Sequence, residues 1–214
     1  MPVMVGFSRR WWEPAEALRR ALDAVPDDQA SVETTIVNDL GAWDALAAPV
    51  DPLDDLATHH LDLLRFLLDR EIASVCARRP GAQEIELQIN FQGGISARCR
   101  AAFGPRSGES IAVATGHRRF AVRAGSERLR PAEGVGRRAI DVWDSAVRRL
   151  LRGRGSLTRS YEHQLRAFLA CVRSGAPASP GPADGIAALH AIEAARRSLE
   201  QGAADVPVPP TPTT

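Results

Sequence analysis

The sequence predicts an α+β domain: an open, mostly antiparallel sheet with helices packed on one face. Three observations predict it. Apolar residues recur at helical spacing toward both ends of the chain, the middle third switches to strict alternation, and glycines and prolines punctuate the changes of period. A chain of 214 residues that is 44% hydrophobic and 25% charged can bury one real core, so a single domain is expected.

Val3 to Phe7 is a short apolar run and reads as a strand. Pro14 follows at a first helical position, with Leu18, Ala21, Leu22 and Val25 at helical spacing. Ser31 to Asn38 is rich in β-branched residues and reads as a second strand, after which a Pro- and Ala-rich loop leads to Asp54. A helix then runs to about Leu68. Its residues Leu56, Leu63, Leu64, Leu67 and Leu68 share one broad face, and Asp55, His59, Asp62 and Asp69 lie on the other.

The period then changes from 3.6 to 2. Ile85, Leu87, Ile89 and Phe91 alternate with polar residues, as do Ile95, Ala97, Cys99, Ala101 and Phe103, and Gln92-Gly93-Gly94 between them predicts an antiparallel hairpin. Runs around Ile111 to Val113 and Phe120 to Val122 continue it as a meander. Three amphipathic helices complete the fold, over about Arg138 to Arg152, Thr158 to Arg173 and Asp184 to Gln201, stopped by Gly153, Gly175 and Gly202. The middle one carries Tyr161, Leu165, Phe168, Leu169 and Val172 on its apolar face. The domain is thus expected over 1–202, with 203–214 a disordered Pro-rich tail.

Composition removes several function classes. With 27 basic against 26 acidic residues the net charge is +1, so no global field draws nucleic acid or anionic lipid. All the basic residues are arginine, which excludes Schiff-base chemistry and any lysine proton relay. Cys76, Cys99 and Cys171 are odd in number and widely spaced, and read as reduced, cytoplasmic thiols, Cys99 in the core. No basic-then-apolar leader opens the chain and no eighteen-residue apolar stretch follows, so neither export nor membrane insertion is expected. The arginines between Arg137 and Arg159 are interleaved with Asp141 and Asp144 and lack aromatic neighbours, the pattern of a solvated face or subunit contact.

Four ordered features carry a family resemblance. VMVGFSRRWWEPAEALRRAL, from Val3, is similar to a strand and helix that link two domains. DDLATHHLDLLRFLLDREIASVCA, from Asp54, resembles a D-x-G-x-H-x-x-D helix entering the first long strands of a sheet. SYEHQLRAFLACVRSGAPASPGPADGIAALHAIEAARRSL, from Ser160, resembles two closing elements, an aromatic-led helix with a Pro-rich turn and then D-G with an Ala-rich helix. Together they resemble the C-terminal substrate-binding part of the glucose-fructose oxidoreductase, inositol dehydrogenase and rhizopine catabolism (Gfo/Idh/MocA) family, with residues 1–30 a remnant of the linker.

That family binds its dinucleotide pyrophosphate on a strand, a Gly-rich turn and a helix N-terminus, and uses a lysine of an E-K-P segment as proton relay. Neither feature has a counterpart here. Gly134-Val135-Gly136-Arg137-Arg138-Ala139 fits G-x-G-x-x-A, but it follows a polar segment rather than an apolar strand and reads as a turn opening a helix. The expectation is a truncated relative with no NAD and no other cofactor.

The resemblance places Asp55 at the substrate-orienting aspartate, His59 at the hydroxyl-deprotonating histidine and Asp62 at the later aspartate, with Ala57 where glycine is frequent. One turn apart on a helix, a carboxylate can fix an imidazole's tautomer while its other nitrogen exchanges a substrate proton. The bland alternative is a solvated helix face with Arg65 and Arg70. Arg9 and Arg10, beside Trp11 and Trp12, can clamp an anionic substrate or simply pack a linker. His60 points to the apolar flank and reads as a packed histidine. A metal held by Asp55, His59 and His60 would need a further donor that the sequence does not identify, so no metal is expected.

The function these expectations describe is acid/base catalysis of an isomerisation, elimination or cyclisation on a small polar metabolite of specialised metabolism, by a homodimer formed through the open sheet face. The alternative is a non-catalytic or split-oxidoreductase partner subunit that binds a full-length dehydrogenase or another pathway enzyme, motivated by Val3 to Phe7 as an unpaired strand edge.

Overall fold

The computed structural model describes residues 1–22, 30–39, 51–115, 118–123, 130–131 and 156–211. The helix expected at Arg138 to Arg152, the G-x-G-x-x-A segment and most of the arginine cluster lie outside the described residues.

A 3-10 turn, Ser8–Trp11, leads into α1 (Glu13–Leu22). Strand β1 (Ala30–Asn38) follows, then a π-turn, Leu53–Ala57, running directly into α2 (Thr58–Leu68). Strands β2 (Ile72–Gly81), β3 (Glu84–Phe91), β4 (Ser96–Phe103), β5 (Gly108–Thr115), β6 (Arg118–Arg123) and the short β7 (Arg130–Pro131) come next. Helices α3 (Ser156–Ser174) and α4 (Pro182–Glu200) close the chain with a last short strand, β8 (Val206–Pro207). They form one eight-stranded sheet in the order β7-β6-β5-β1-β4-β3-β2-β8.

The α+β class and the open sheet are therefore present, with one change of order. The expected meander is interrupted: β1 inserts between β4 and β5, parallel to the former (Val32 opposite Ala97) and antiparallel to the latter (Val32 opposite Val113). Period and turns specify hairpins locally, but an earlier strand can enter wherever both neighbours offer a free edge. Alternation does hold: Val32, Ile36, Ile85, Leu87, Ile89, Ala97, Ala101, Ile111 and Val113 all face the core, while Glu33, Glu86, Arg98 and Arg100 are exposed on the outer face. Against the inner face pack α2, through Leu61, Leu63, Leu64 and Leu67, and the alanine-rich side of α4, which lies along β2. Alanines at 187, 188, 191, 194 and 195 let that helix approach closely.

Three expectations are corrected. Val3 to Phe7 is not a strand: Val5 N–H donates to Pro180 O at 2.8 Å and the Gln164 side-chain amide donates to Val5 O at 2.7 Å, so a loop and a helix side chain take the bonds a strand edge would offer. Residues 203–211 are not a disordered tail. Val206 is buried and pairs with Val75, and Val208 N–H donates to Ala73 O at 2.9 Å. Pro207 is tolerated because β8 is an edge strand, where a missing N–H costs nothing. Third, most of the apolar side of α3 is left uncovered among the described residues: Tyr161, Leu165, Leu169 and Val172 are exposed. No described helix is long and apolar enough to cross a membrane.

Candidate acid-base site

The site is built where the 3-10 turn, the start of α2 and the inner face of β5 meet. Glu109 occupies an inward position of β5, in phase with Ile111 and Val113, and is buried. A carboxylate there must be paired. It accepts from Arg9, Nε and Nη2 each at 3.3 Å, and lies 3.0 Å from His60 Nε2. His60 is fully buried and also borders Cys99 of β4.

Charge follows from this packing. Burial alone would push the His60 imidazolium down, but hydrogen bonds and charge from Cys99 and Glu109 outweigh it and bring the group up to about 9. Burial works against the Glu109 carboxylate too, and His60 with Arg9 overcomes it, holding the group at about 2. His60 is thus a paired cation rather than merely a packed ring.

His59 stands beside this cluster, half-buried, with its ring edge-on to Phe7 at a centroid distance of 6.2 Å. Desolvation, then the cations Arg9 and His60, lower it to about 4 against a weaker opposing pull from Glu109. It is neutral at physiological pH. Its Nδ1 is enclosed and has no hydrogen-bond partner among the described residues.

The expected aspartate partner is not in place. Asp55 is exposed on the π-turn and makes no hydrogen bond to His59, because the wider π geometry shifts the residues before Thr58 off the angular phase of α2. Asp62 is not solvated either: its side chain is 1% exposed and is gripped by Arg10, Nε to Oδ2 at 2.8 Å and Nη2 to Oδ1 at 2.5 Å. Arg10 also donates to Asp184 Oδ1 at 2.7 Å, and Asp184 accepts from Gly181 N at 2.8 Å at the start of α4. Asp184 is held below the usual carboxylate range: burial opposes this, and the bonds from Arg10 and Gly181 prevail.

The structure therefore sorts the five expected residues into two groups and one outlier. Arg9 joins His59; Arg10 joins Asp62, facing a cleft of about 410 Å³ lined also by Arg19, Arg65, Phe66 and Asp184. Asp55 stands apart. Glu109 and Asp184 complete the two groups and were not expected, although a carboxylate in register with Ile111 and Val113 was a visible signal. Among the described residues no group of three His, Cys, Asp or Glu could hold a metal ion. Among the described residues, no α-helix follows a strand through a Gly-rich turn.

An open sheet backed by helices, with an imidazole near the start of the helix laid across it, defines an α+β domain. The relatives and structural neighbours of this chain are oxidoreductases of the Gfo/Idh/MocA type, and the match lies on their C-terminal part. Inositol 2-dehydrogenase of Rhizobium meliloti (strain 1021) is 29% identical over 222 residues, covering 93% of this chain. The chain spans 63% of that relative's length. Among solved structures, an oxidoreductase domain protein from Kribbella flavida superposes with a TM-score of 0.71 at 17% identity, over 98% of this chain and 66% of the other. The myo-inositol dehydrogenase of Lactobacillus casei, solved with NAD(H) and myo-inositol, gives 0.70 at 19% identity, over 98% and 63%. No protein-family model matches.

Proposed function

We propose that this domain is a cytoplasmic proton-transfer module that works without a dinucleotide on a small polar metabolite, in an isomerisation, elimination or cyclisation. The observation that carries it is His59: a neutral, half-buried imidazole, edge-on to Phe7, whose enclosed Nδ1 has no hydrogen-bond partner among the described residues, set beside the buried cluster of Arg9, His60 and Glu109. A neutral imidazole accepts a proton from a hydroxyl or an acidic C–H and returns it at another atom, which is all those reactions require. Arg10, already forked onto Asp62 and Asp184, shapes the neighbouring cleft rather than moving protons.

The test is exchange of substrate hydrogens with D₂O, followed by proton NMR over a panel of polyols, sugars and hydroxy acids. Wild type is expected to exchange one C–H of a substrate, and His59→Gln to slow it by roughly 100-fold or more. Exchange unchanged in His59→Gln would refute the reading. Self-association through the outer sheet face, where exposed Glu33 and Glu86 stand among Arg98 and Arg100, accompanies this reading and is checked by sedimentation equilibrium.

A second reading is favoured by the stripe Tyr161, Leu165, Leu169 and Val172. Four exposed apolar side chains in a row on one helix are more than a monomeric surface usually shows. In this reading the stripe binds a folded domain that supplies the share of the relatives this chain does not span. Calorimetric binding of a separately produced dinucleotide-binding domain, lost in Leu165→Ser, would support it; absence of heat would oppose it.

A further inference from the structure

An imidazole that makes no hydrogen bond has little of its own to fix its plane, because the χ2 torsion of histidine is broad. His59 is in that position, since its enclosed Nδ1 has no partner among the described residues. Its ring is met by Phe7, edge-on at a centroid distance of 6.2 Å and an interplanar angle of 86°, a geometry in which aromatic pairs attract. Phe7 is itself buried, and the chain on either side of it is tethered. Upstream, Val5 N–H donates to Pro180 O, and Val5 O accepts from the Gln164 side chain of α3. A Cβ added at Gly185 would stand 3.3 Å from Val5 Cγ2, so this stretch lies close on the start of α4. Downstream, Arg9 is bonded to Glu109 of β5, and Arg10 to Asp62 of α2 and Asp184 of α4. Val5 to Arg10 is thus a strap fastened at both ends, and Phe7 is the side chain it sets against His59.

We infer that Phe7 is a positioning residue for His59: its edge-on contact selects the imidazole orientation used in proton transfer, and the strap from Val5 to Arg10 keeps Phe7 in place. The inference deepens the proton-transfer reading and rests on it. Phe7 carries no group that exchanges a proton, so it acts only through the ring it holds. An aromatic pair of this geometry favours the held orientation over a rotated one by about 2- to 12-fold, the fold-change equivalent of what such pairs contribute beyond burial. Phe7→Leu keeps an apolar side chain in the core and removes the ring, so it isolates that bias.

The full chain is labelled at its histidines, five in all, and the NMR signals of His59 are assigned by comparison with His59→Gln. Three-bond couplings about χ1 and relaxation of the ring C–H groups then report the orientation and order of the imidazole with no substrate present. Wild type and Phe7→Tyr, which retains the ring, are expected to show one ordered orientation, and Phe7→Leu an average over several. Where Phe7→Leu does not fold, Gln164→Ala, which loosens the strap from outside the core, takes its place with the same expectation. One ordered orientation in the folded variant would overturn the inference. The second measurement is the exchange of substrate hydrogens with D₂O. Phe7→Leu is expected to lower kcat for exchange by about 2- to 12-fold with KM unchanged, and to add nothing to the loss in His59→Gln. Slowing that persists undiminished in the His59→Gln background would also overturn the inference, since the effect would then bypass the imidazole. The couplings need no turnover, so an ordered His59 in Phe7→Leu counts against Phe7 alone. Exchange indifferent to His59→Gln instead sinks the proton-transfer reading, and the inference with it.

Discussion

Glu109 Oε1 stands 3.0 Å from His60 Nε2, joining the inner face of the sheet to the helix laid across it inside the core. A carboxylate so placed is tolerable only because Arg9 and His60 both neutralise it. Glu109→Gln would leave two cations enclosed with a neutral amide. The expected cost is about 3 to 5 kcal/mol in urea unfolding, and a loss under 1 kcal/mol would show that the three groups are not coupled as described.

The same cluster sets how stability depends on pH. His60 is raised from 6.5 to about 9, so its contribution is complete below 6.5 and is lost as pH rises through about 9, a change of roughly 3 kcal/mol. His59 is lowered to about 4 and Glu109 to about 2. The His59 contribution is complete above 6.5 and falls away as pH drops through about 4; that of Glu109 is complete above 4.5 and is lost through about 2. Denaturant midpoints measured across pH should therefore peak near 6.5 and decline on both sides. Replacing His60 by Gln should flatten the alkaline limb and also weaken the acid limb, because His60 helps hold Glu109 and His59 down; a curve still falling above neutrality in that variant would contradict the assignment.

Much of this arrangement was legible in the chain, and the failures share a cause. The hairpin at Gly93 and Gly94, both at positive φ, and the stops at Gly175 and Gly202 follow from local chemistry that one segment carries by itself. The polar stripe Asp55, His59, Asp62 and Asp69 was correct as a pattern, but a stripe cannot say whether water or another segment will face it. Asp62 meets Arg10, 52 residues earlier, and both meet Asp184, so a stripe that reads as solvated is partly sealed by ion pairs between distant segments. The π-turn that displaces Asp55 has no recognised signature, and α3 shows the converse error: apolar periodicity guarantees a face, not a partner for it.

The C-terminal strand is a structural staple. Val206 is 4% exposed on the edge of β2, Ser74 Oγ donates to Asp205 Oδ2 at 2.9 Å, and Ser198 Oγ both accepts from Ala77 N at 2.8 Å and donates to Ala204 O at 2.5 Å. Truncation after Gly202 uncovers Val206's site and leaves part of that chain of bonds without its end. A loss of about 2 kcal/mol or more is expected from the valine alone, read as a lower thermal midpoint. An unchanged midpoint would mean that β8 rests on the sheet without supporting it.

Leu165 and Leu169 separate the two readings of the apolar stripe. In the domain as described both side chains are largely outward-facing, Leu165 57% and Leu169 42% exposed, so replacing both with serine removes little packing and should change unfolding by no more than about 1 kcal/mol each. Were they covered within the same chain, each replacement would cost about 2 to 5 kcal/mol, the range for emptying a core position. What the double replacement should alter is association. If the stripe seats another folded domain, the wild-type domain alone should self-associate or precipitate as concentration rises, and the serine variant should sediment as the smaller species over the same range. Unchanged stability with unchanged sedimentation would leave the stripe without a docking role and strengthen the proton-transfer reading centred on His59.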